Sequence, residues 1–171
     1  MNLLTVVTFL PVLGALALVA VPRDEAGQHR TLALVVSIAT FLASLGLWFG
    51  FDPSAAAPEF QFEQYVPWIA SIGIGYHVGL DGVALLLVML TTILVPVVVL
   101  SAWQAVQDRV KEFMIAILVL ETAMIGTFAA LDLVLFYVFW ELVLIPMCLL
   151  IGVWGSTNRL YATVKFFVYT F

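Results

Sequence analysis

Charge is scarce in this chain. Of 171 residues only 10% are Asp, Glu, Lys or Arg, while 64% are hydrophobic and the mean hydropathy is +1.17. A soluble domain carries about 25% charged residues, so a water-facing surface cannot be built from this composition. A net charge of -5 with six Lys and Arg excludes the basic stripe that nucleic acid requires, and no nucleic-acid partner is expected. One cysteine, Cys148, excludes an intrachain disulfide and a cysteine-built metal cluster. Inside an apolar run it is a small packing residue. Neither a metal site nor a bound cofactor is expected.

Long apolar runs take the place of charge, and they define an all-α, polytopic transmembrane bundle of five complete helices plus the start of a sixth. The first runs from Leu3 to Val21; it lacks a basic stretch before it, and Arg23 follows it, so it is a span and not a cleaved leader. A polar loop, Arg23 to Arg30, leads to the second helix, Leu32 to Phe51. Its Gly46 and Gly50 have a spacing that lets helices approach closely. The third helix is Val83 to Trp103 with Pro96 inside it, the fourth Phe113 to Ala130, the fifth Leu133 to Val153. Asp81 and Asp132 stand where the third and fifth begin and read as N-caps. The run from Leu160 to Phe171 reaches only about 18 Å as helix, too short for a span, so the chain reads as the N-terminal part of something longer.

The connection from Asp52 to Leu80 alternates at strand period over Phe60 to Tyr65 and partly over Ile72 to Val78, and these runs are expected to pair as an exposed hairpin. Gly73, Gly75 and Gly79 have the spacing GxGxxxG, which is not a dinucleotide fingerprint. His77 is read as an interfacial loop residue.

Basic residues set the expected orientation. Arg23 and Arg30, then Arg109 and Lys111, then Arg159 follow the odd-numbered helices, and none follows the second or fourth. Lys and Arg are kept on the cytoplasmic side, which places the N-terminus and the loop 52–80 outside.

Two acids lie within spans. Glu141 is the one charge of the fifth helix and Glu121 that of the fourth. Glu121 lies about 12 Å and Glu141 about 18 Å from the cytoplasmic ends of their helices. A carboxylate at the bilayer centre costs about 3 kcal/mol on insertion scales and in general handles ions or protons. The bland alternative is that Glu141 pairs with a basic group to fix packing. Pro146, five residues on, removes a helical hydrogen bond and is expected to bend the helix and free polar backbone near Glu141. Packing of the two antiparallel helices would let a water or a short side-chain movement connect the acids. Lys165 has two readings: it snorkels to the interface, or it serves beside Glu141.

The residues Phe136-Tyr-Val-Phe-Trp-Glu141-Leu-Val-Leu-Ile-Pro146-Met, then Trp154-Gly155, Arg159-Leu-Tyr-Ala and Lys165-Phe-Phe-Val-Tyr-Thr170, closely resemble the antiporter-like membrane subunits of proton-pumping NADH:quinone oxidoreductase, respiratory complex I. Within them the run around Glu141 is similar to the subunit M, or chain 4, family. Leu80-Asp81-Gly82 and Phe128-Ala-Ala-Leu-Asp132 resemble it too, so the likeness covers about Gly79 to Phe171.

The resemblance implies a larger helix bundle with inverted repeats that moves protons while NADH, flavin, iron-sulfur clusters and quinone sit in partner subunits. It implies that Glu141 works with a lysine of a seventh helix and that Glu121 is an additional acid. Residues 1–130 would then be four N-terminal helices, and 131–171 the start of the proton-translocating domain. Partners would be the other membrane-arm subunits, sister antiporter-like subunits above all, in a bacterial cytoplasmic membrane. The competing readings are a subunit of a multisubunit sodium/proton antiporter, a non-transporting scaffold, and a small drug/proton exporter.

Overall fold

The computed structural model describes residues 2–23, 25–54, 58–69 and 73–170. In chain order the elements are α1 (Leu3–Ala20), α2 (Ala26–Gly50), β1 (Gln61–Ile69), β2 (Ile74–Leu80), α3 (Gly82–Ala105), α4 (Val110–Ala129), α5 (Leu133–Trp154) and α6 (Arg159–Thr170). Helices α1 to α5 are each long and apolar enough to cross a membrane. A helix satisfies its backbone internally, which an apolar environment demands.

Helix α4 is the hub, packing against α1, α2, α3 and α5, while α6 folds back on α5. The ends of the bundle differ in chemistry. At one end α1, α3 and α5 finish, and their last carbonyls, which no helical N–H reaches, are met by cations. Lys111 Nζ donates to Val19 O at 2.8 Å and to Val21 O at 2.6 Å, Arg30 donates to Val106 O at 2.9 Å, and Arg159 donates to Val153 O at 2.7 Å. A positive charge at a helix C-terminus also complements its dipole. This is the basic end.

The hairpin closes the other end. β1 and β2 pair antiparallel, with irregular register between Gln61 and Gln64 and between Pro67 and Ile69. The start of α1 is tied to it: Thr5 Oγ1 donates to Gln64 Oε1 at 2.7 Å, and Asn2 Nδ2 donates to Phe62 O. Leu131 N donates to His77 O at 2.8 Å, which pins the α4–α5 connection to β2. The expected pairing is present, with Ile72 outside the described residues, but the hairpin is not exposed as expected: β2 buries Tyr76, Val78 and Leu80 in the core at this end of the bundle. His77 is a strand residue rather than a loop residue. Its Nε2 lies 2.6 Å from Glu63 Oε1, and its ring meets Tyr65 edge-on.

The caps stand where expected. Asp81 accepts from Ala84 N at 2.6 Å and Asp132 from Leu135 N at 2.9 Å. Two helix starts differ from the expectation. Residues 26–30 are helical, not loop, and α4 begins at Val110, three residues before Phe113. Hydropathy marks where a helix enters the apolar layer, but the helical ladder extends past it into the polar boundary. Asp24 and Phe171 lie outside the described residues. Gly46 receives Leu3 and Gly50 the ring of Phe62, so that glycine pair serves packing.

Candidate functional site

Glu141 sits on the third turn of α5, about 12 Å from the hairpin end and about 20 Å from the basic end by helical rise. The direction it takes follows from its neighbours. Phe139 lies flat on Gly126 of α4, so closely that a Cβ on Gly126 would come within 2.3 Å of the ring, and it also meets Phe9 of α1. Glu141 is two residues on, about 200° round a helix of 3.6 residues per turn. It therefore points away from α4, onto a face shared with Tyr137 and Ile145, which are 55% and 61% exposed. Tyr137, one turn back, lies beside the Glu141 side chain. Pro146 is buried inside α5 without ending it.

Glu121 has the opposite setting. It is fully buried on α4, and neither carboxylate oxygen has a hydrogen-bond partner. It shares a face with Met114, Leu118 and Ile125, which pack in apolar clusters built with residues of α1, α2 and α3. The structure does not bring the two acids together. The expectation of a short connection between them fails on helical phase: the face of α5 that seats on α4 is the one opposite Glu141.

Lys165 is exposed on α6, its ammonium 5.7 Å from the ring centre of Tyr161 and 5.9 Å from that of Tyr169. Thr163 packs on Gly152 of α5. Lys165, again two residues on, faces away from α5 and hence from Glu141.

A cavity of about 460 Å³ lies between α4, α5 and α6. Its lining, Met124, Phe128, Trp140, Met147 and Phe166 among others, contains no charged side chain. Among the described residues no three His, Cys, Asp or Glu side chains gather as a metal ion would require.

Sequence reasoning missed one group. His29 is fully buried on α2 with neither ring nitrogen bonded. Its signal was a stripe of small and polar residues at spacings of three and four, His29, Ala33, Ser37, Thr40 and Ser44, running through the inner face of α2.

Comparison with known proteins shows what the chain is similar to. Residues 130–171 match the family described as NADH:quinone oxidoreductase/Mrp antiporter, TM. Over 99% of its length the chain is 51% identical to NADH-quinone oxidoreductase subunit M of Rhodobacter capsulatus. Along nearly its whole length the chain is thus similar to antiporter-like membrane subunits. It is 45% identical over 94% of its length to NADH-ubiquinone oxidoreductase chain 4 of Arabidopsis thaliana. The fold matches a chain in the structure of respiratory complex I from Thermus thermophilus with bound NADH, with TM-score 0.78 and 29% identity, covering 96% of this chain and 32% of that one.

The chain spans about a third of the curated relatives it matches, 33% and 32% of their lengths. Five helices apolar enough to cross a membrane and the match of residues 130–171 to a membrane-domain family make it an integral membrane protein. Glu141 and Lys165 fall inside the stretch matched by the family, and Glu121 falls outside it.

Proposed function

We propose that this chain is part of a membrane-arm subunit of NADH:quinone oxidoreductase that couples electron transfer from NADH to quinone to proton movement, with Glu141 carrying the proton-coupled step. The observation that carries the reading is the placement of Glu141: the one charge of α5, mid-span, on a face that α4 leaves uncovered. An intramembrane acid that faces neither a cation nor its own bundle is set to exchange protons with whatever completes that face. Residues 131–171 begin the proton-translocating domain, and 1–130 brace it. Glu121 is a second acid of the same subunit, acting apart from Glu141. Lys165 is a cation of the interface, held between two tyrosines.

NADH, flavin, iron-sulfur clusters and quinone belong to partner subunits in this reading, and the neighbours are the other membrane-arm subunits, sister antiporter-like subunits among them. The membrane is the bacterial cytoplasmic membrane. Basic residues at one end of the bundle support an N-terminus and hairpin on the outer face. Cysteine labelling of intact cells at Ser54 but not at Gln107 tests that orientation, and labelling of Gln107 alone overturns it. A second reading, a sodium/proton antiporter subunit, is favoured only by the family description, which names both assemblies.

Glu141→Gln keeps size and hydrogen-bonding capacity but removes titration. In fully assembled complex it is expected to suppress pumping in inverted vesicles and to slow NADH oxidation by quinone, with Glu141→Asp retaining part of both. Normal pumping by assembled Glu141→Gln complex would sink the reading.

A further inference from the structure

The first strand of the hairpin carries two residues where its partner carries one. Gln61 pairs with Leu80 and Gln64 with Val78, so Phe62 and Glu63 together stand opposite Gly79. This is a β-bulge, and the left-handed first residue of such a bulge is ordinarily glycine. Here it is Phe62, at φ 54. For a bulky side chain that conformation is strained, and it persists only where the surrounding contacts hold it.

Contacts on both sides hold it. The Phe62 ring packs beside Gly50 at the end of α2, where an added Cβ would come within 3.2 Å of it, and Asn2 Nδ2 donates to Phe62 O. The next residue, Glu63, has its Oε1 2.6 Å from Nε2 of His77 on β2. Beyond the bulge Gln64 Oε1 accepts from Thr5, so the geometry of the bulge sets how the start of α1 seats on the hairpin. Of these contacts only the one between His77 and Glu63 depends on charge. Water reaches both partners, 29% and 53% exposed, and histidine is the side chain that ordinarily changes charge between pH 5 and 8. The other ionisable groups of the hairpin are Tyr65, edge-on to His77, and the buried Tyr76; a tyrosine ordinarily titrates near pH ~10. Of the helices packed against β2, α1 and α3 carry no ionisable side chain, and those of α4 lie at mid-span or at the basic end. Asp81 and Asp132, at the starts of α3 and α5, are engaged as caps, and Tyr137 lies beside Glu141.

We propose that His77 and Glu63 form a pH-operated latch on this bulge. With His77 protonated the pair is ionic and holds Glu63, and with it the strained Phe62, against β2. Loss of the imidazolium charge removes the Coulomb attraction and leaves a single hydrogen bond, so the bulge opens more often. The latch tightens as the water at the hairpin acidifies. In the orientation proposed above that water is the outer phase, into which the proposed pumping releases protons, so the hairpin grips the start of α1 more firmly as protons accumulate there. That last clause rests on the functional reading; the latch itself stands on the hairpin alone.

Hydrogen exchange read by mass spectrometry on the intact purified complex tests the latch, with rates expressed as protection so that the intrinsic pH dependence of exchange is removed. Protection of the β1 amides is expected to fall about threefold as pH rises from about 5.5 to 8.5, the scale of a partly exposed ion pair. His77→Gln keeps a donor for Glu63 without a titrating ring, and Glu63→Gln keeps an acceptor without a charge. Each is expected to make the protection of β1 independent of pH over this range, and if one variant does not assemble the other decides. Protection in the unaltered complex that does not change with pH, or the same fall in an assembled variant, overturns the proposal. Because exchange is read without turnover, normal pumping by Glu141→Gln would end the functional reading and leave this result standing.

Discussion

Helices α4 and α5 pack side by side, yet 56% of the most apolar window of α4 is buried and only 22% of that of α5. Among the five spans α4 is the least apolar, so the more polar helix is the more buried one. In water the ranking would be reversed. Lipid is as apolar as leucine, so apolarity gives a helix no reason to leave it, and small or hydrogen-bonding residues decide which faces close. α4 buries Ala116, Ala123, Gly126 and Ala129 together with Glu121, Thr122 and Thr127. α5 turns Leu133, Val138, Ile145 and Leu149 outward, and α6 buries nothing. The two acids follow their helices, one enclosed and one on an open face.

The joint between the two regions is the sharpest place to break that contrast. Gly126→Ala puts a methyl where Phe139 lies, and overpacking of this kind costs about 1–3 kcal/mol. Loss of assembled complex on native gels is expected, largely restored when Phe139→Leu is added, since the two changes share one contact. If Gly126→Ala assembles normally, α5 is not seated by that contact and the direction assigned to Glu141 fails with it.

A smaller effect is expected on the open side. Lys165→Arg keeps a cation that can still stack between Tyr161 and Tyr169, so pumping should change by less than about twofold. Arg does not deprotonate, so a strong loss would show that Lys165 is a titrating partner and would return it to the proton path.

The smallest effect concerns the hairpin. Burial raises the Tyr76 hydroxyl above the ordinary tyrosine value of 10.0, and its bond to Thr5 offsets part of that rise. The folded state then holds this proton more tightly than the unfolded state does. The associated stability is complete below about pH 10 and is lost as pH rises through the folded value. Tyr76→Phe should remove part of the alkaline loss of protection at the hairpin in hydrogen exchange. An identical alkaline profile in the variant would show that Tyr76 does not contribute.

Much of this was legible in one dimension. Both caps could be placed because Asp stands directly before an apolar run, and the hairpin because alternation survives in Phe60 to Tyr65. The starts of α2 and α4 were misplaced because the apolar pattern begins later than the backbone ladder. His77 was misread because its partner, Glu63, lies across a strand pair rather than along the chain. His29 was passed over because it stands among Gly27, Gln28 and Arg30, where polarity suggests a loop.

By itself the sequence determined the membrane, the number of spans, the end that collects cations, and which acids lie at mid-depth, because each follows from local composition and a rise of about 1.5 Å per residue. Only the tertiary structure decided where those acids point. The direction of a side chain depends on helical phase relative to a neighbour, and that phase is set by single close contacts: Phe139 on Gly126, and Thr163 on Gly152. The same contacts turn Glu141 and Lys165 outward, while the packing of α1 to α4 buries Glu121.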